Sequence, residues 1–218
     1  RMDMDTTRGK EDYEQILSAF ANHEADILIG TQMIVKGHDF PDVTLVGVLA
    51  ADLSLHVGDY RAAERTFQLL TQAAGRAGRG KRAGEVVIQT YTPQHYSIAA
   101  AAAQNYEQFY EEEIAFRSIM DYPPVCNMLM VTLSSKNEEQ LLAACTFLKE
   151  VIPEWKKEQV RITGPVAAGV YKRNDYYNQV VYLKATAYEK LTACKDRLEM
   201  LCRENTLFRS IGLQFDFN

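Results

Sequence analysis

Two arginines, Arg76 and Arg79, stand three residues apart among glycines in the stretch Gln72-Ala73-Ala74-Gly75-Arg76-Ala77-Gly78-Arg79. Arginine stays charged at any physiological pH and presents a rigid fork of donors that matches phosphate oxygens, so a pair spaced like this on one helical face forms an anion clamp. Glycines between them let another backbone come close. The same pattern also fits a solvated, basic helix end that glycine terminates, and the arginines by themselves do not separate the two readings. The segment upstream favours the clamp. Residues 26–29 read as a strand that runs into a polar, glycine-bearing loop, Gly30-Thr31-Gln32-Met33-Ile34-Val35-Lys36-Gly37-His38-Asp39, and then toward a second apolar strand at 44–50. Ligands in open α/β sheets bind at the carboxyl ends of the strands, which puts Thr31, Gln32, Gly37 and Asp39 where a nucleotide or nucleic acid would be held. Asp39 fits a helix cap or turn residue as well, and Lys36 is either a phosphate contact or a solvated loop charge. His38 is given no role.

The elements that must carry these residues follow from periodicity. Tyr13, Ile16, Leu17 and Phe20 have helical spacing, and a long helix is expected over residues 60–77, delivering the arginines at its end. A strand at 85–91 closes this part, and Thr92-Pro93 marks its end. Strands alternating with helices imply a parallel, doubly wound sheet. Residues 94–120 lack a strand pattern and make one or two connecting helices, with alanines 99–103 as strong helix formers. Pro123-Pro124 stops that helix and marks a domain boundary. The remainder reads β-α-β-β-α-β. Residues 126–134 are apolar on both faces, Leu141, Leu142, Cys145, Leu148 and Ile152 form one stripe, and 160–171 and 179–184 are strands flanking a polar turn. A second stripe, Leu191, Cys194, Leu198 and Leu201, reads as core packing, and Ile211, Leu213, Phe215 and Phe217 alternate as a strand should. Two helices then cover one face of a four-stranded sheet, the split β-α-β arrangement.

Composition bounds the function. The content is 47% hydrophobic and 24% charged, as in ordinary globular chains, and 218 residues suit one or two domains. A formal net charge of −5 means that any contact with phosphates must come from local clusters of cations, since affinity for DNA comes largely from neutralising phosphate. Part of the acidic excess collects at residues 107–113, read as a solvated helix face. Residues 75–82 nearly spell a P-loop, but Arg82 offers no hydroxyl for magnesium and the segment follows a helix rather than a strand. Residues 78–83 imitate a dinucleotide fingerprint, yet their strand comes after the glycines. The four cysteines, Cys126, Cys145, Cys194 and Cys202, contain no C-x-x-C pair and are read as buried, reduced thiols of a cytosolic protein, so no metal is expected. No signal peptide is recognisable, and no apolar run approaches the roughly 20 residues of a membrane helix. Around the polar turn, Tyr171-Lys172-Arg173-Asn174-Asp175-Tyr176-Tyr177 interleaves rings with cations. Such a pattern suits a single nucleic-acid strand, with bases to stack and phosphates to neutralise, and it equally suits a hairpin turn flanked by strand-favouring tyrosines. Trp155 beside Lys156 and Lys157 reads as helix packing with a wet end.

Residues 30–39 match the fifth conserved motif of superfamily 2 helicases, and the Gln72 segment resembles the sixth. Longer runs at 1–8, 30–39, 46–52 and 65–80 resemble the PriA family of replication-restart helicases, also called primosomal protein N′, and the likeness continues through Tyr122-Pro123-Pro124 and Gly164-Pro165 to the last strand. The resemblance implies part of a RecA-like second helicase lobe at residues 1–93, carrying motifs V and VI. Connecting helices at 94–122 and a C-terminal domain at 123–218, described for the family as similar to a ribosomal protein fold, would follow. A helicase motor also needs a first lobe with a P-loop and a magnesium site. The chain has room for neither and is expected to begin inside the second lobe, without ATPase activity of its own.

By the same resemblance ATP and Mg²⁺ serve the full-length protein, and zinc belongs to an upstream segment. Arg76 and Arg79 are the candidate arginine fingers, with Gln72 a polar contact to phosphates or attacking water. Gly37, Asp39 and Gly75 approach the nucleotide. Thr31, Gln32 and Lys36 contact the DNA backbone, and Tyr171, Lys172, Arg173 and Tyr177 are the DNA-contacting residues of the C-terminal domain. An arginine finger is worth about 10³–10⁵ in rate, roughly 4–7 kcal/mol, against about 0–1 kcal/mol for a surface ion pair. The implied activity is ATP-dependent 3′-to-5′ unwinding at stalled forks in the bacterial cytoplasm, at the nucleoid. Its partners would be forked or single-stranded DNA, single-stranded-DNA-binding protein and primosome loading proteins, with no membrane. Two alternatives remain: a non-catalytic DNA- or protein-docking module, and a repair or RNA helicase sharing both motifs. The β-α-β-β-α-β tail argues against the second.

Overall fold

The computed structural model describes residues 1–3, 10–35, 40–152 and 159–218, which divide into two compact units, residues 1–113 and 114–218. In the first unit, helix α1 (Lys10–Ala21) carries the expected stripe, with Leu17 buried and Phe20 meeting Phe40 edge-on at 5.0 Å. Strands β1 (Leu45–Val48) and β2 (Glu85–Ile88) pair in parallel, Leu45 opposite Glu85, and α2 (Ala62–Ala74) crosses between them. Helix α2 is two-sided by its 3.6-residue period. Phe67, Leu70 and Ala74 are buried on one side, while Arg65, Gln68 and Gln72 are exposed on the other. Its buried side packs on α3 (Tyr96–Ala102) and on the start of α4 (Tyr106–Met120), where Phe67 stacks on Phe109 at 4.2 Å between ring centroids.

One sequence expectation changes here. Residues 26–29 do not form a strand; among the described residues a single parallel bridge lies just after them, Met2 with Gly30, supported by the Met2 N–H donating to the Ile29 carbonyl at 2.7 Å. Ile27 and Ile29 remain exposed, because the described residues offer no neighbouring strand to extend the pairing. The two compact units meet within α4, since α3 and Phe109 share the core of the first unit.

The second unit has the expected β-α-β-β-α-β order: β3 (Asn127–Ser135), α5 (Glu138–Val151), β4 (Arg161–Arg173), β5 (Tyr176–Ala185), α6 (Tyr188–Glu204) and β6 (Gly212–Phe217). The sheet is antiparallel in the order β4-β5-β3-β6, so the first strand lies between the third and the fourth. Leu129, Val131 and Leu133 of β3 meet Leu141, Ala144 and Leu148 of α5 and Leu191, Cys194 and Leu198 of α6 in one core. Asn137 caps α5 by accepting from the Gln140 N–H at 3.1 Å.

The segment joining α4 to β3 is fastened to the sheet of this second unit. Lys184 donates to the Met120 carbonyl at 2.9 Å and sits 3.8 Å above the Tyr122 ring, and Arg161 pairs with Asp121. Arg117 donates to the Pro123 carbonyl at 2.8 Å, and the Cys126 thiol donates to the Asp121 carbonyl at 2.8 Å.

Candidate nucleotide and nucleic-acid site

Helix α2 stops at Ala74, so it does not carry the two arginines on one face, and the expectation of a helix over 60–77 is corrected. Gly75 caps it, the N–H groups of Arg76 and Ala77 reach back to the carbonyls of Ala73 and Ala74, and Gly78 then turns with φ +72°. The chain leaves the helix axis within one turn. Arg79 is exposed, with its Nε donating to the Gly75 carbonyl at 2.7 Å, and Arg76 is half-buried. The guanidinium of Arg79 thus sits at the helix carboxyl end, where the macrodipole favours a cation, and keeps its remaining N–H groups on an exposed side chain.

The glycines of this segment have different grounds. A Cβ on Gly78 would lie 2.5 Å from the Gly84 backbone nitrogen, and one on Gly80 would lie 2.3 Å from the Pro41 carbonyl. The close approach expected of these glycines is therefore made by the protein's own backbone. Gly75 differs: its φ is −66° and a Cβ would meet nothing nearer than 3.5 Å. Its own fold does not require glycine there.

Gln72 and Gln32 line the same groove of about 450 Å³, together with Arg65, Gln68 and Leu69 of α2 and with Leu53, Ser54 and Val57 from the segment after β1. The structure thereby joins the turn at Gln32 to the exposed side of α2. Thr31 and Gln32 are both exposed, and Gln32 opens a 3₁₀ turn over residues 32–35. Lys36, Gly37, His38 and Asp39 lie outside the described residues, as do Trp155, Lys156 and Lys157.

A carboxylate that the sequence reading did not single out ties the turn after β1 to the segment after β2. Asp52 is buried, and it accepts from the Thr90 hydroxyl at 2.8 Å, the Tyr91 N–H at 2.9 Å, the Thr92 N–H at 3.2 Å and the Thr92 hydroxyl. These donors, with the Thr92 hydroxyl foremost, hold the Asp52 carboxyl far below the usual carboxylate range. Beside it the Ser54 and Thr66 hydroxyls meet at 2.7 Å, tying the turn after β1 to α2. The signal available in the sequence was the Asp that ends an apolar run, answered by Thr90 and Thr92 after the next strand.

In the second unit, Asn174 and Asp175 form the tight turn between β4 and β5, with φ values of 48° and 64°. Tyr171 donates to Glu138 at 2.6 Å and meets the Tyr177 ring edge-on at 5.6 Å. Lys172 lies 4.7 Å above the Tyr177 ring and donates to its hydroxyl at 3.3 Å. Arg173 is exposed beyond them.

Among the described residues no group of three or more His, Cys, Asp or Glu side chains is placed to hold a metal ion, and the four cysteines are free and buried. Among the described residues no helix is long and apolar enough to cross a membrane.

Residues 118–217 match the primosomal protein N C-terminal domain, and residues 2–81 match the helicase conserved C-terminal domain. Over 94% of its length the chain is 48% identical to the replication restart protein PriA of Bacillus subtilis. The chain belongs to the PriA family. It is also 38% identical to the PriA of Synechocystis over 93% of its length, and 38% identical to that of Borreliella burgdorferi over 92%. It spans 26%, 24% and 31% of these three PriA relatives, respectively, and matches their C-terminal portion. The PriA assignment accounts for both units, a second-lobe helicase segment followed by the C-terminal domain of the family.

Proposed function

We propose that this chain is the C-terminal part of an ATP-dependent DNA helicase that unwinds 3′-to-5′ at stalled forks and assists primosome assembly there. In this reading residues 1–93 supply the second-lobe half of the ATP site, 94–122 connect, and 123–218 dock DNA and partners. The observation that carries it is the groove shared by Gln32 and Gln72, in a chain whose two halves match the two PriA-type domains.

Arg76 and Arg79 would stabilise the charge that develops on the departing γ-phosphoryl group, and Gln72 would orient the phosphate or the attacking water. Gly75, Gly37 and Asp39 would lie along the nucleotide. Thr31, Gln32 and Lys36 would hold the strand by its phosphates, without reading bases. The β4–β5 hairpin, with Tyr171, Lys172, Arg173 and Tyr177, is the second DNA contact. ATP with Mg²⁺ belongs to the whole motor, whose P-loop the 218 residues do not contain, so the chain alone has no DNA-stimulated ATPase. Zinc is assigned to an upstream segment and to none of these residues. Single-stranded-DNA-binding protein and primosome loaders are the proposed partners, at the bacterial nucleoid in the cytoplasm.

Measuring ATP turnover and DNA affinity of the parent protein tests this. Arg79→Ala and Arg76→Ala should each lower turnover by orders of magnitude while leaving DNA affinity near wild type. The double variant should be less damaged than the product of the singles, because both would act on the same departing phosphoryl group. Turnover within about threefold of wild type for both singles would return these residues to a helix end. The bond from Arg79 to the Gly75 carbonyl favours that second reading.

A further inference from the structure

The β4–β5 hairpin has two chemically different faces. Residues directly opposed on antiparallel strands project to the same side, and successive pairs alternate. Lys172 pairs with Tyr177 and Arg173 with Tyr176, so these two pairs point to opposite faces. Tyr177 packs against the core beneath α5 and α6, which puts the Lys172 pair on the helix-covered side. There each polar group already has a partner: Lys172 with the Tyr177 ring and hydroxyl, and Tyr171 with Glu138. Asp175 and Glu138 also act on Lys172, holding its ammonium above the usual lysine range after the larger effect of the Tyr177 hydroxyl. A polyanion approaching this side would meet carboxylates.

The opposite, open side carries cations and one ring. Arg173 and Lys136 are exposed, and Tyr176 is 43% exposed. Lys136 reaches this side by register, because Ser135 lies opposite Tyr177 and the next residue therefore falls beside Tyr176. Its ammonium stands 5.4 Å from the Tyr176 ring centroid. In a chain of net charge −5, this local cluster provides charge complementary to phosphate.

We propose that a single strand of DNA is held on the open sheet face at this corner, with a base against Tyr176 and phosphates at Lys136 and Arg173. This rests on reading the hairpin as a DNA contact and divides its residues by role. Lys172, Tyr171 and Tyr177 brace the hairpin, while Lys136 and Tyr176 join Arg173 as the contacting groups. Stacking on one aromatic ring flanked by cations tolerates any base, so the contact is without sequence preference.

The test is binding of a fluorescently labelled oligo-dT to the 218-residue chain across a salt series, with the thermal midpoint of each variant as the folding control. Lys136→Ala and Arg173→Ala should each lower the slope of log affinity against log salt by about 0.7, the value for one phosphate contact on a single strand. Tyr176→Ala should weaken binding about 5- to 140-fold, with Tyr176→Phe close to wild type. Lys172→Ala should lower the slope by less than Lys136→Ala does, because its ammonium is engaged by Tyr177. A slope change for Lys172→Ala as large as that for Lys136→Ala overturns the two-face assignment and leaves the hairpin reading standing. No binding by the wild-type chain, or binding unchanged in all these variants, overturns both.

Discussion

At the scale of single residues, Arg79 carries two tasks that substitution separates. Its bond to the Gly75 carbonyl closes the end of α2, and in the proposed function its guanidinium also serves the phosphate. Arg79→Lys keeps a cation at the helix end and loses the fork. The variant should therefore hold the thermal midpoint within what about 1 kcal/mol allows and still fail to restore ATP turnover in the parent protein. The neighbouring glycines should divide in the same way. Gly78→Ala meets both a left-handed backbone and the Gly84 nitrogen, so denaturant unfolding should show a loss larger than the roughly 1–2 kcal/mol of the backbone conformation alone. Gly75→Ala should fold as wild type, since the added methyl makes only ordinary contacts with the Thr71 and Gln72 carbonyls, and under the proposed function it should lower turnover. Equal losses of stability for the two variants would remove the distinction. The pair of arginines was legible in the sequence because type and spacing announce phosphate chemistry. Their placement after the helix was not, because it depends on Val43 and Gly84, which the Gly78 backbone meets only through tertiary packing.

At the scale of elements, the second unit was read almost strand for strand, and the first was read less well. The stripes of α5 and α6 and the alternation of β6 are strong periodic signals over many residues, and each is satisfied inside its own unit. Residues 26–29 carry an equally apolar signal and yet form one bridge, because a strand exists only through a neighbour. The Asp52 knot escaped notice for the opposite reason: a lone carboxylate has no period, and Thr90, Tyr91 and Thr92 come to it from across the sheet. Its titration has a definite sign. Asp52 has a folded pKa far below its unfolded value of 3.8, so its contribution to stability is complete above that value and is lost as pH falls toward the folded one. The thermal midpoint of the first unit should drop as pH falls below about 4, and Asp52→Asn should flatten that drop while lowering the midpoint at pH 7. An unchanged acid profile in Asp52→Asn would assign the acid sensitivity to other carboxylates.

At the scale of the whole molecule, the fastening of residues 117–126 to the second unit predicts where that unit can be cut free. A chain of residues 114–218 keeps the Asp121–Arg161 pair and the bonds from Lys184 to Met120 and from Arg117 to Pro123. One of residues 123–218 loses all three, so it should melt at a lower temperature, and equal midpoints would show the fastening to be energetically idle. The thiols give an independent readout of integrity. Burial pushes Cys145 up to about 11 and Cys202 up to about 12. Both should resist a thiol reagent at pH 8 until the chain unfolds, and rapid labelling of the folded protein would contradict their burial. One further consequence follows from the order of the sheet. The β3 strand is flanked by β6, whose partner positions run from Leu129 with Phe217 to Ser134 with Gly212, and Met128 and Asn218 exchange backbone bonds in both directions. Because a ribosome releases the chain from its amino end, β3 must wait, exposed along one edge, until residues 212–218 have been made. The nascent domain is therefore vulnerable to aggregation and proteolysis until β6 has been made, and loss of residues 212–218 leaves that edge of β3 permanently open.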